Sequence, residues 1–146
     1  MTKTTKVVIG ILGLLVVVYY LKNKKNAPKT SGNILDKWKG NFDSKNLSEI
    51  VNTYAPDGIL VSTFGDILQG RKKIEPYFKG LFEKENLKVT YMGEPIVTKV
   101  DGSTMYTGIY EFSFTENGKL NKTKARYSII EKDGFITKQH SSEVPN

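Results

Sequence analysis

The chain contains no cysteine. That one absence removes disulfides, thiolate metal sites and a cysteine nucleophile. Histidine is nearly missing too: His140 is the single one, so no histidine-rich metal cluster can form. Arginine is scarce, with Arg71 and Arg126 the only two against twenty lysines. No phosphate-binding glycine loop, dinucleotide fingerprint, Gly-x-Ser-x-Gly elbow or metal-spacing motif occurs. No cofactor is therefore expected. Acid is missing from the first thirty residues, which hold six lysines. The net charge of +7 belongs mostly to that segment, because residues 31–146 carry sixteen basic and fifteen acidic groups. A nearly neutral domain predicts no nucleic-acid partner.

What the first segment does have is a long apolar run. Val7 to Leu21 is fifteen consecutive uncharged residues between Lys6 and Lys22, with Tyr19 and Tyr20 at one end. As a helix it spans roughly 22 Å, short of a hydrocarbon core of about 30 Å. Thr4, Thr5 and snorkelling lysine stems extend it. A buried core helix would not carry lysines at both ends with no polar face. A cleaved signal peptide fits the length, but no small-x-small cleavage site follows. The reading is an uncleaved single-pass anchor in residues 1–22, contacting the membrane through residues 5–22. Lys22, Lys24, Lys25 and Lys29 outnumber Lys3 and Lys6, which places the following domain on the cytoplasmic side. The sequons Asn46-Leu47-Ser48 and Asn121-Lys122-Thr123 point the other way, but such short patterns recur by chance. Residues 23–32 are a polar tether, and residues 33–146 are the folded domain.

In that domain the period is first helical. Leu35, Trp38 and Phe42 define one helix, with Ser31 or Asn33 as its cap. Leu47, Ile50, Val51 and Tyr54 define a second, with Asn46 and Glu49 spaced as a capping box and Pro56 ending it. Ile59 to Thr63 predicts a short strand. Ile74, Tyr77, Phe78, Leu81 and Phe82 predict a third helix after Gly70. The period then changes to two. Asp101-Gly102, Asn117-Gly118 and Asp133-Gly134 are hairpin turn pairs. They divide the rest into a four-stranded antiparallel meander, with a bulge or bend near Gly93 and Pro95. The expectation is an α+β fold: a cone-shaped, curved antiparallel sheet packed on three helices and preceded by one transmembrane helix.

Several stretches in order carry a resemblance: Tyr54-Ala55-Pro56-Asp57-Gly58, Gly70 leading to Ile74-x-x-Tyr77-Phe78, Gly108-Ile109-Tyr110-Glu111-Phe112, Ala125-Arg126-Tyr127-Ser128, and His140-Ser141-Ser142-x-x-Pro145. This series resembles the nuclear-transport-factor-2-like (SnoaL-like) superfamily. Within it, the chain is most similar to the association domain of calcium/calmodulin-dependent protein kinase II and its stand-alone relatives. Gln139 stands where such endings usually have a first histidine, and Phe135 follows Gly134 where tryptophan is usual. The resemblance implies a cone that assembles as a homo-oligomer through its sheet. It also implies a superfamily containing isomerases, cyclases and dehydratases, among which fold does not choose.

The candidate ligand-binding residues are Arg126, His140, Tyr54, Tyr77 and Tyr110. Arg126 lies mid-strand; a fixed guanidinium facing a pocket would suit a carboxylate, and otherwise it pairs inside the cone with Glu111 or Glu131. His140 shares a strand face with Lys138 and Ser142 and lacks a recognisable acid partner. The tyrosines either line a pocket or fill the core. Arg71, at a helix start, reads as solvated. No catalytic constellation emerges and no metal ligands are proposed. The functional expectation is a membrane-anchored, non-enzymatic oligomerisation or scaffold module. The alternatives are a module binding a small carboxylate or apolar ligand, or an isomerase, cyclase or dehydratase.

Overall fold

A computed structural model describes residues 33–145. The expected anchor and tether lie outside the described residues, and so does the capping role considered for Ser31. Among the described residues no helix is long and apolar enough to cross a membrane.

Three helices and seven strands make up the described chain. Helix α1 (Ile34–Asp43) buries Leu35, Trp38 and Phe42, the stripe that its helical spacing predicts, and Ile34 beside them. Helix α2 (Leu47–Asn52) is capped by Asn46, whose side-chain oxygen accepts the Glu49 N–H at 3.2 Å. Helix α3 (Arg71–Phe82) starts directly after Gly70, whose φ of 82° suits a residue without Cβ, and buries Ile74, Phe78 and Leu81.

The strands are β1 (Tyr54–Val61), β2 (Ile67–Gln69), β3 (Glu85–Tyr91), β4 (Ile96–Val100), β5 (Ser103–Glu116), β6 (Lys119–Lys132) and β7 (Phe135–Glu143). They form one sheet in the order β2-β1-β7-β6-β5-β3, with β4 also paired to β5. The three turn pairs occur as read, each with two successive positive φ angles, as in Asn117 at 52° and Gly118 at 72°.

Three expectations change. The sheet is mixed, not antiparallel throughout: β1 runs parallel to β7, because α3 and the meander carry the chain back to the same edge. The first meander segment is two strands, since the chain breaks at Gly93 (φ 94°) and both halves pair with successive parts of β5. Tyr54 belongs to β1, and α2 ends at Asn52, before Pro56 is reached. Pro56 instead sits where the β1–β7 register shifts between Tyr54 and Ile59. No ladder N–H is required of it there. Gly58 completes that bulge, because a Cβ on it would meet the Ile136 carbonyl at 2.9 Å.

The helices cover one face of the sheet. Tyr110, Phe112, Ala125, Tyr127 and Ile129 point into that inner face and are buried. Trp38 stacks on Tyr110 with centroids 6.2 Å apart, and Tyr110 stacks on Tyr127 at 4.9 Å. Alternation sends the intervening residues of β5, β6 and β7 to an outer face that none of the described helices covers.

Candidate functional site: a sealed interior and an open outer face

The interior of the cone is where a pocket was expected. Tyr54 and Tyr110 are almost fully buried there, and Tyr77 is half-buried beside them. Two polar chains cross this apolar space. The Trp38 indole N–H donates to the Tyr54 hydroxyl at 3.1 Å, and that hydroxyl donates to Gln139 Oε1 at 2.5 Å. The Tyr110 hydroxyl donates to Ser141 Oγ at 2.6 Å, and Ser141 is in turn bonded to Thr63 Oγ1. Among the described residues, no buried side-chain polar atom lacks a partner. The space left between these groups is about 10 Å³, room for about one water. No acid, histidine, lysine or arginine lines it. Burial raises the pKa of Tyr54, Tyr77 and Tyr110 well clear of neutrality, partly opposed at Tyr110 by its bonds to Ser141 and Gln139. These phenols stay protonated. The structure brings the three tyrosines together in a packed and hydrogen-bonded core.

Arg126 and His140 are elsewhere. Both are exposed on the outer face of the sheet. The expectation of a paired guanidinium within the cone is thereby corrected: Ala125 and Tyr127 take the inner face, so Arg126 must take the other. Neither expected acid serves it. Glu111 pairs with Lys122 at 3.1 Å, and Glu131 accepts the Gly134 N–H at 2.8 Å. Arg71, read as solvated, is partly buried and donates to the Tyr54 carbonyl from Nε at 2.8 Å and from Nη2 at 2.6 Å. It fastens the start of α3 to the start of β1.

The strand register arranges the outer face in rows. One row runs Ile96, Thr107, Ser128, His140; the next holds Ile109, Arg126 and Ser142. Thr107 and Ser128 are hydroxyl partners at 3.4 Å. Together with Met92 and Glu94 these residues line an open groove of about 490 Å³. Sequence reasoning named Arg126 and His140 of this group as candidates and placed Ser142 on the strand face of His140. Thr107 and the apolar wall of Met92, Ile96 and Ile109 come from other parts of the chain, and only the register joins them to Arg126 and His140. Gly108 also escaped notice as a packing device: a Cβ on it would meet the Tyr127 hydroxyl at 2.7 Å, so the bare backbone makes room for that ring. Among the described residues no group of acids and histidines could hold a metal ion.

Three helices sealed against one face of a curved mixed sheet define the nuclear-transport-factor-2-like, or ketosteroid-isomerase-like, fold. A ketosteroid isomerase-like protein from Erwinia carotovora atroseptica shares it at a TM-score of 0.67 and 13% identity, over 77% of this chain and 92% of that one. A polyketide cyclase fold from Xanthomonas campestris does so at 0.56 and 13%, over 75% and 86%. A calcium/calmodulin-dependent protein kinase II association-domain protein, also from Xanthomonas campestris, matches at 0.69 and 31% identity, over 77% of this chain and 84% of that one. The chain belongs to this association-domain family. No family model matches it, and no curated protein matches it by sequence.

Proposed function

We propose that the protein is a non-enzymatic association module, tethered to a membrane by residues 7–21, that pairs with a second copy through the outer face of its sheet. The observation that carries this reading is the contrast between the two faces. The inner face is filled and hydrogen-bonded to completion. The outer side leaves Met92, Ile96 and Ile109 exposed around one groove, Ile96 by 71%. Large apolar side chains gathered on a sheet face that no described helix covers suit a partner more than solvent. The family relative supports it too, since its name is that of an association domain. A symmetric pair would bring the same face of each copy together. The lysine excess after the apolar run supports a cytoplasmic side for the module.

The test is sedimentation of the full chain in a mild non-ionic detergent, corrected for bound detergent. A dimer or larger assembly at micromolar concentration is expected, and Ile96→Lys with Ile109→Lys should dissociate it. A strictly monomeric chain refutes the reading. Carbonate extraction tests the tether: the chain should stay with membranes, and Leu14→Asp with Leu15→Asp should release it, each charge costing about 2.5–3.5 kcal/mol at mid-span.

A further inference from the structure

We propose that the outer-face groove is a binding site for a small amphipathic monoanion, a carboxylate with an alkyl or aryl body. The groove shares Met92, Ile96 and Ile109 with the face proposed above for the second copy, so the anion and the second copy compete for it and the site is read on the unpaired chain.

The floor supplies the polar end. Arg126 is exposed and takes part in none of the ion pairs among the described residues. Its planar fork is the side chain best matched to two carboxylate oxygens. Ser142 is its direct cross-strand partner on β7, and Ser128 is the partner of His140, so hydroxyls and an imidazole stand beside the fork in adjacent rows. Cross-strand neighbours lie about 5 Å apart and diagonal ones about 7–8 Å. One carboxylate therefore lies within reach of Arg126, Ser142 and His140 together.

The wall supplies the apolar end. Ile109 pairs with Arg126 across β5 and β6, Met92 follows beyond Ile109, and Ile96 heads the neighbouring row. All three are exposed. An anion held at Arg126 thus has an exposed hydrocarbon surface toward β3 and β4 along which its body can lie. Glu94 lines the same groove, in which Arg126 is the one guanidinium, so a single anionic group suits it. The volume of about 490 Å³ falls within the range of about 300–1,000 Å³ typical of small-molecule sites.

The test titrates 2-naphthoate into the full chain loaded at one chain per neutral phosphatidylcholine nanodisc and diluted until sedimentation shows unpaired discs, by equilibrium dialysis, with the neutral 2-naphthamide and the tail-less acetate alongside. Saturable binding of one naphthoate per chain is expected, with both controls weaker. Arg126 is exposed, so its variants should fold, and far-ultraviolet circular dichroism checks this. Arg126→Gln should weaken naphthoate by about tenfold or more, the usual consequence of losing a charge-assisted pair. Arg126→Lys should weaken it less, and Ile109→Ser should weaken naphthoate but not acetate. If naphthoate also dissociates an assembled chain, the groove is shared with the second copy, which still supports the site. Naphthoate binding unchanged by Arg126→Gln, naphthamide binding as tight as naphthoate, or no saturable binding overturns the proposal.

Discussion

Replacing Tyr54 by phenylalanine removes a single oxygen and tests whether the interior is sealed by its hydrogen bonds. That hydroxyl accepts from Trp38 and donates to Gln139, and all three residues are at most 2% exposed. Phenylalanine fills nearly the same volume, so cavity terms are small. The loss instead orphans one donor and one acceptor, at about 1–3 kcal/mol each when water cannot reach them. The expected destabilisation is therefore about 2–6 kcal/mol, a large share of the total stability of a small domain. With a urea m-value of about 2 kcal/mol/M, the midpoint falls by about 1–3 M. Trp38 is the chain's single tryptophan and reports the unfolding directly by fluorescence, with circular dichroism as a second probe. Adding Gln139→Leu in the Tyr54→Phe background removes the stranded acceptor. The double variant should then be more stable than the two single effects predict, by about 1–3 kcal/mol of coupling. A midpoint within about 0.3 M of wild type, or strict additivity, would refute the network as a determinant of the core.

Three further outcomes follow from the same geometry. Gly108→Ala should cost about 1–3 kcal/mol by thermal or urea unfolding, because its Cβ collides with a Tyr127 ring already stacked on Tyr110. Arg71→Gln should destabilise by about 1.5–3 kcal/mol through the lost charged bond to the Tyr54 carbonyl, and Arg71→Lys should recover only part, since one ammonium cannot reproduce the fork. The buried phenols make stability alkaline-sensitive. Their pKa values are raised in the folded state, chiefly by burial, with Tyr127 pushed up to about 12 by burial and then by Tyr110 and Glu94. Stability should be intact below the unfolded tyrosine pKa of about 10 and fall as pH rises toward 12. Phenolate absorbance should show those tyrosines titrating only as the chain unfolds.

Legibility in the sequence followed the range of the interaction. Turn pairs are local and need particular backbone angles, so Asp101-Gly102, Asn117-Gly118 and Asp133-Gly134 located every hairpin of the meander. The helix stripes on α1 and α3 were equally plain. Tyr54 was not, because one residue at helical spacing from Leu47 and Ile50 can equally begin a strand. Thr53 decides it: its N–H still bonds to Glu49 and Ile50, while its carbonyl already accepts from Ile136 of β7. The parallel β1–β7 pairing joins residues some eighty positions apart and leaves no local mark. The family resemblance foresaw the architecture and said nothing of which residues share a face.

Arg126 shows how face assignment turns into function. The alternation of Ala125, Tyr127 and Ile129 was visible in the sequence, and it already placed Arg126 opposite the packed side. What it lacked was the knowledge that the packed side is the concave, helix-covered one. An inward Arg126 would have had to find an acid among aromatic rings, because an unpaired buried charge costs several kcal/mol. Facing outward it needs none, and the acids that could have paired with it are engaged by Lys122 and by the Gly134 amide. The interior, with its polar atoms satisfied and room for about one water, has no group left with which to meet a ligand. Among the described residues, one guanidinium, one imidazole, a row of hydroxyls and two bare isoleucines share the other side of the sheet. That is the face on which the proposed partner and the proposed ligand would meet this domain.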